Sequence, residues 1–189
     1  MIVWKDNATF AKFFVIDINL DNRTEYIKTA RAKYDSYDSK EWVKCGFDEH
    51  SGGYYVYHKE HHFDPTLGVF GVERGKYEEM ASEVLMMYGM QVALGSEKKQ
   101  YDDDKINDGL LNGKPFDIKG IEGTGKRNVE YKIYEASKQG AETVVLFYYN
   151  ENNFSKQRII DGYDAYLRNS KSKRIGCIYY VLNNKLYKL

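Results

Sequence analysis

What the chain lacks narrows its class before any motif is read. In 189 residues there are only two cysteines, Cys45 and Cys177, too far apart to form a metal-ligand spacing. They read as free thiols in a reducing compartment, and a chain of this length can bury a core without disulfide or metal staples. No apolar run approaches the roughly 20 residues that a membrane-spanning helix needs. Positions 1–6 lack a basic segment followed by an apolar stretch, so neither a membrane nor a secretory leader is expected. Charge of one sign is also missing, because 28 Lys and Arg balance 28 Asp and Glu. That balance excludes a basic field over the whole molecule, though not a local basic groove. There is no internal repeat and no low-complexity tract. Two prolines beside 18 tyrosines and 30% charged residues describe an ordered, polar-surfaced α/β or α+β protein of cytoplasmic type.

Hydrophobic periodicity gives the order of elements. The apolar, β-branched stretch at 13–18 predicts a strand, and Tyr26, Ala30 and Tyr34 at i, i+4, i+8 predict a short helix over 24–34. After Gly52-Gly53, the run 54–57 reads as a strand. The breaker-rich stretch 64–68 marks a boundary between an accessory segment, 1–65, and the main domain, 66–189. A helix over 76–88 follows, with Tyr77, Ala81, Val84, Leu85 and Tyr88 on one face and Gly89 as its stop. Strands are expected at 91–94, 106–111, 114–120, 143–149, 175–182 and from 185 to the end. Tyr101–Lys105 reads as a solvated acidic loop. Helices are expected from Asn128, capped by Asn128 or Thr124, to Gln139-Gly140, and over 155–168. The order α-β-β-β-α-β-α-β-β describes a mixed sheet flanked by helices.

The segment richest in chemistry is DGLLNGKPFDIK at 108–119. Asn112-Gly113 signals a two-residue hairpin loop. Counting outward from that loop sets Asp108 directly opposite Asp117, with Cβ atoms roughly 4.5–5.5 Å apart. Alternation then puts Lys119 on the same face as Asp117 and turns Ile118 away. Two carboxylates facing each other repel. A hard divalent cation such as Mg²⁺ resolves the conflict, because it is typically held by one or two carboxylates and substrate phosphate oxygens. Lys119, expected as an exposed strand lysine, would then orient water or neutralise charge on a phosphoryl group. A solvent-facing hairpin with incidental charges is the competing reading of the same residues.

The wider pattern is helix Glu78-Glu79, then Asp108, then Asp117-x-Lys119, then helix Gln139. It is similar to the PD-(D/E)xK, restriction-endonuclease-like nuclease superfamily over about residues 76–150, although Asn107 stands where that motif has proline. The resemblance implies an α-β-β-β-α-β core with metal ligands at Asp108, Asp117 and Glu78 or Glu79. The cofactor would be Mg²⁺ or another divalent cation such as Mn²⁺ or Zn²⁺, with Lys119 assisting the attacking water and Gln139 completing the site. The stretch NDGLLNGKPFDIK with the later EASKQGA resembles the toxin nuclease domains of contact-dependent growth inhibition effectors, related to domains ending phage head-morphogenesis polypeptides. That implies an RNase cleaving tRNA rather than DNA, delivered as part of a larger system and neutralised by a cognate immunity protein. The alternatives are a DNA endonuclease of the same fold, a metal-independent toxin RNase, or a non-catalytic phage structural or binding module.

Other features are weaker. Thr124, Lys126, Arg127 and Asn128 at a helix start are candidates for substrate phosphate binding, or simply an ordinary capped start. All four histidines, His50, His58, His61 and His62, fall within thirteen residues. Their spacing matches no zinc pattern, and they are expected at the surface or between domains. His61 or His62 would be the general base of the metal-independent alternative. The paired tyrosines 148–149 and 179–180 are expected in core or sheet-edge packing, although they could stack bases.

Overall fold

The computed structural model describes residues 20–96, 107–125, 127–171 and 174–189. The strand expected at 13–18, the acidic loop at 101–105, Ile106 and Lys126 lie outside the described residues. Those described form α1 (Leu20–Ser36), β1 (Trp42–Phe47), β2 (Tyr54–His58), α2 (Gly75–Met87), β3 (Gln91–Leu94), β4 (Gly109–Leu111) and β5 (Lys114–Gly120). Then come α3 (Asn128–Lys138), β6 (Thr143–Tyr148), a 3₁₀ turn (Glu151–Asn153), α4 (Lys156–Asn169), β7 (Cys177–Leu182) and β8 (Lys185–Lys188).

All eight strands belong to one mixed sheet, laid out in chain order. β3, β4 and β5 form an antiparallel meander, and β5, β6 and β7 run parallel with α3 and α4 as their connections. The alternation of side chains sorts the core. One face sends Val92, Leu94, Leu111, Phe116, Ile118 and Val145 against α2. The other face is covered in two places. At one end Tyr34 of α1 and Tyr37, just past its end, lie near Tyr54, Val56 and Ala93. At the other, α3 and α4 bury Val144, Leu146, Ile178 and Tyr180 under Ile133, Ala136 and Ile159. Between these covers lies the stretch of β4 and β5 that carries Leu110, Asp117 and Lys119.

The hairpin is the element that places the candidate site, and its register is the expected one. Leu111 pairs with Lys114 and Gly109 with Phe116, so the next step outward sets Asp108 against Asp117. Asn112 and Gly113 have φ of 51° and 80°, the positive values a two-residue primed turn requires. Gly109 has a second reason to be glycine. A Cβ there would lie 2.0 Å from the Ala93 carbonyl oxygen, so its absence lets β4 close onto β3.

Several expectations need correction. β1 is a six-residue strand that sequence pattern did not suggest, and α1 is longer than the helix expected over 24–34. β2 pairs in parallel with β3, from Tyr54↔Gln91 to Tyr57↔Leu94, so the expected division after residue 65 runs through a single sheet. The breakers at 64–68 form a loop closed by a Leu67–Glu73 bridge and lead directly into α2, rather than a linker. α3 begins without a side-chain cap. Its N-cap is Arg127, and Asn128 instead donates from Nδ2 to the Gly123 carbonyl at 3.0 Å. Both cysteines are unpaired, as expected. Among the described residues no helix is long and apolar enough to cross a membrane.

Candidate active site

The hairpin register brings the two aspartates together. Asp108 and Asp117 lie within hydrogen-bond reach of each other, and Asp108 Oδ2 also accepts from the Ile118 backbone N–H at 2.5 Å. Asp117 is fully buried, at 0% exposure. Among the described residues neither Asp117 oxygen accepts a well-aligned hydrogen bond, and Oδ2 forms an ion pair with Lys119 Nζ at 2.8 Å. Two positions along the same face, Lys119 donates from Nζ to Gln139 Oε1 at 2.6 Å. Gln139 is the C-cap of α3, so the crossover from β5 to β6 delivers it to the lysine two residues past Asp117.

Lys119 is not the exposed strand lysine that the sequence suggests. The Lys119 side chain is only 15% exposed, because α3 folds back over this face of β5. Burial, with the charge of Glu78 second, pushes the Asp108 carboxyl up to about 6. Burial again, followed by the neighbouring Asp108, holds the Asp117 carboxyl well above its ordinary range. Burial alone would pull the Lys119 ammonium down, but Asp117 and Asp108 outweigh it and hold it above its usual value. The site therefore sets one cation, Lys119, against two carboxyl groups whose charged forms are disfavoured.

α2 supplies the third acid, and helical geometry selects which. Glu78 lies close enough for its charge to act on Asp108. Glu79, one residue on, is turned away and pairs with Lys76 at 2.5 Å, while its charge acts on Cys45. Of the two glutamates expected near the site, the structure brings in Glu78 alone. Glu78 Oε2 is 3.0 Å from His61 Nε2, and His61 Nδ1 is 2.9 Å from the Gly95 carbonyl. His61, expected at the surface or between domains, is thus buried, and both its ring nitrogens are engaged. His62 is exposed.

Glu78 and Lys119 open onto a cleft of about 530 Å³, with Ile118, Arg74, Asn128 and Lys132 among its walls. Arg74 is held by Glu122 at 3.0 Å and Lys132 by Glu135 at 2.9 Å, so both cations are already oriented at the rim. The expected phosphate site at the start of α3 is divided by this geometry. Asn128 lines the cleft, whereas Arg127 lines a separate pocket of about 460 Å³ with Tyr131, Tyr134 and Asn169. Thr124 is exposed and lines neither. The chain matches no protein-family model, no curated protein and no solved structure.

Among the described residues no group of three or more His, Cys, Asp or Glu is arranged to hold a metal ion. A closed structural zinc site is not what these residues build. They do fit a hard cation that takes one or two carboxylates and completes its shell with water and substrate oxygens. The observation behind that fit is the buried Asp117 carboxylate, short of donors and beside a second carboxyl group.

Sequence reasoning missed His61 as the partner of Glu78 and Arg74 as a cleft cation. Neither had a signal to find: His61 lies in an aperiodic loop, and Arg74 precedes the helix it helps to start. Gly109 carried a weak one, since a glycine inside an apolar run suggests close backbone approach.

Proposed function

We propose that the protein is a divalent-cation-dependent nuclease that hydrolyses phosphodiester bonds, with Asp108, Asp117, Glu78, Lys119 and Gln139 as its working residues. The observation that carries this reading is the fully buried Asp117 set against the half-buried Asp108, with Lys119 beside it on one face of a hairpin. Burying like charges together is a poor choice for stability, so a ligand of positive charge is its most economical explanation. When bound, a cation such as Mg²⁺ supplies charge to the developing phosphoryl oxygens and polarises the phosphate.

The chain's own groups have separate tasks. Lys119 is held protonated by its two acidic neighbours, so its ammonium can donate to the attacking water or to a phosphate oxygen in the cleft. Gln139 accepts one of the three ammonium protons and so limits where the other two point. Arg74, Asn128 and Lys132 are the donors that would meet the phosphate backbone along the cleft walls; Asp64, Glu78 and Glu122 in the same lining balance its cations, so a bound metal ion would supply the net positive charge. RNA, and tRNA first, is the substrate that the likeness to growth-inhibition toxin domains favours over DNA. An immunity protein covering this cleft is the partner it implies.

Purified protein incubated with tRNA and with duplex DNA tests the reading, with Mg²⁺ or Mn²⁺ and with EDTA. Metal-dependent cleavage of RNA is expected, falling about 10²–10³-fold in Lys119→Gln, a change that removes the charge but keeps a hydrogen-bond donor. Turnover that survives EDTA, or that is unchanged in Lys119→Gln, overturns the mechanism. Intact RNA and DNA under every condition overturns the nuclease itself.

A further inference from the structure

We infer that His61 is a positioning residue that holds Glu78 and Asp108, which come from different elements, in one fixed frame. The inference rests on the nuclease reading above and adds to it a residue that the motif does not contain.

The geometry is a continuous chain of contacts. Asp108 belongs to the start of the β4–β5 hairpin, and its carbonyl accepts from the Gly95 N–H at 2.8 Å. Gly95, just past β3, returns its own carbonyl to His61 Nδ1 at 2.9 Å. The opposite ring nitrogen, Nε2, is 3.0 Å from Glu78 Oε2 on α2. A single residue, Gly95, therefore touches the backbone of one acid and the imidazole that holds the other.

Hydrogen-bond accounting fixes the ring. A carbonyl oxygen can only accept, so Nδ1 carries a proton toward Gly95. Nε2 and the Glu78 carboxyl then share the remaining proton between them, which makes this a directed contact. The ring has no freedom to drift: its side chain is 0% exposed, and Phe63 packs edge-on against it with centroids 4.7 Å apart. The Glu78 side chain, by contrast, is 18% exposed and reaches into the cleft. Without His61, a glutamate on a helix surface samples several rotamers and turns partly to solvent. With it, the carboxylate is delivered at one angle to the place where its charge reaches Asp108. An imidazole tied to a backbone carbonyl on one side and to a working carboxylate on the other does for Glu78 what outer hydrogen bonds do for metal ligands, where losing one costs 10–100-fold.

The test compares wild type with His61→Ala and His61→Gln. Both variants are checked for a native fold by circular dichroism, and the glutamine variant serves if the alanine variant does not fold. Two quantities are measured: Mn²⁺ affinity by calorimetry without substrate, and kcat and KM on RNA. The expected result is Mn²⁺ binding and kcat each weakened roughly 10–100-fold in His61→Ala, with KM for RNA little changed. His61→Gln, which keeps one donor toward Glu78, should lie in between. Added imidazole should restore the alanine variant, and furan, similar in size but without an N–H, should not. Wild-type Mn²⁺ affinity and kcat in a folded His61→Ala overturn the inference alone, as does equal rescue by furan. A wild-type protein that neither binds Mn²⁺ nor cleaves overturns the nuclease reading and this inference with it.

Discussion

β5 and β6 lie side by side in the middle of the same sheet, hydrogen-bonded in parallel, yet they bury opposite kinds of residue. Asp117 sits beside Val144, and Lys119 beside Leu146. All six residues of β6 are buried and none is charged, which is what a strand covered on both faces should look like. β5 is apolar only on the face toward α2, where Phe116 and Ile118 join the core. Its other face carries a carboxylate and an ammonium almost as deeply buried as their apolar neighbours. Folding alone does not ask for this, since apolar residues of similar volume often serve as well or better than a buried ion pair. A local violation of the packing rule, in a sheet that otherwise obeys it, is where function is to be sought.

Making β5 copy its neighbour breaks the comparison most completely. The double variant Asp117→Val with Lys119→Leu should abolish cleavage while unfolding at the same or higher urea concentration. A stability gain of up to about 1–4 kcal/mol is expected, as when well-packed apolar residues replace other buried ion pairs. A loss of several kcal/mol would mean that the charges hold the sheet together rather than wait for a substrate.

Asp108→Asn sharpens the comparison by a smaller amount. The amide keeps an acceptor for the Ile118 N–H but removes one of the two like charges. Because the folded Asp108 carboxyl is raised to about 6 from its ordinary 3.8, its favourable contribution is present at low pH and is lost as pH rises through about 6. The variant should therefore exceed wild type by about 1–3 kcal/mol at pH 7, with the difference vanishing near pH 4. Denaturant unfolding at both pH values checks the sign. A variant less stable than wild type at pH 7 would show that burial and the Glu78 charge do not penalise an ionised Asp108.

The same two strands show what could be read in advance. The hairpin was legible because its signals are local. Asn112-Gly113 fixes the loop, and a period of two then fixes which residues meet. β6 was legible from its continuous apolar run. The burial of Lys119 was not, because it depends on α3 returning over β5 and bringing Gln139 with it, a contact no local pattern encodes. Membership of β1 and β2 in the sheet was hidden for a related reason. β1 is broken by an irregularity between Lys44 and Gly46, and β2 finds its parallel partner β3 some thirty residues later in the chain, across the connection at 59–74 and α2. His61 falls in that same aperiodic connection. Choosing Glu78 over Glu79 required the helix phase relative to the hairpin, which only the fold supplies.

The central claim is that the facing aspartates are a seat for a divalent cation. Calorimetric titration of the purified protein with Mn²⁺ at pH 7.5, beside Asp117→Asn, addresses it without any substrate. One ion bound per chain in the wild type, weakened at least about tenfold in the variant, is the predicted result. No heat of binding in either protein, or the same affinity in both, would contradict it.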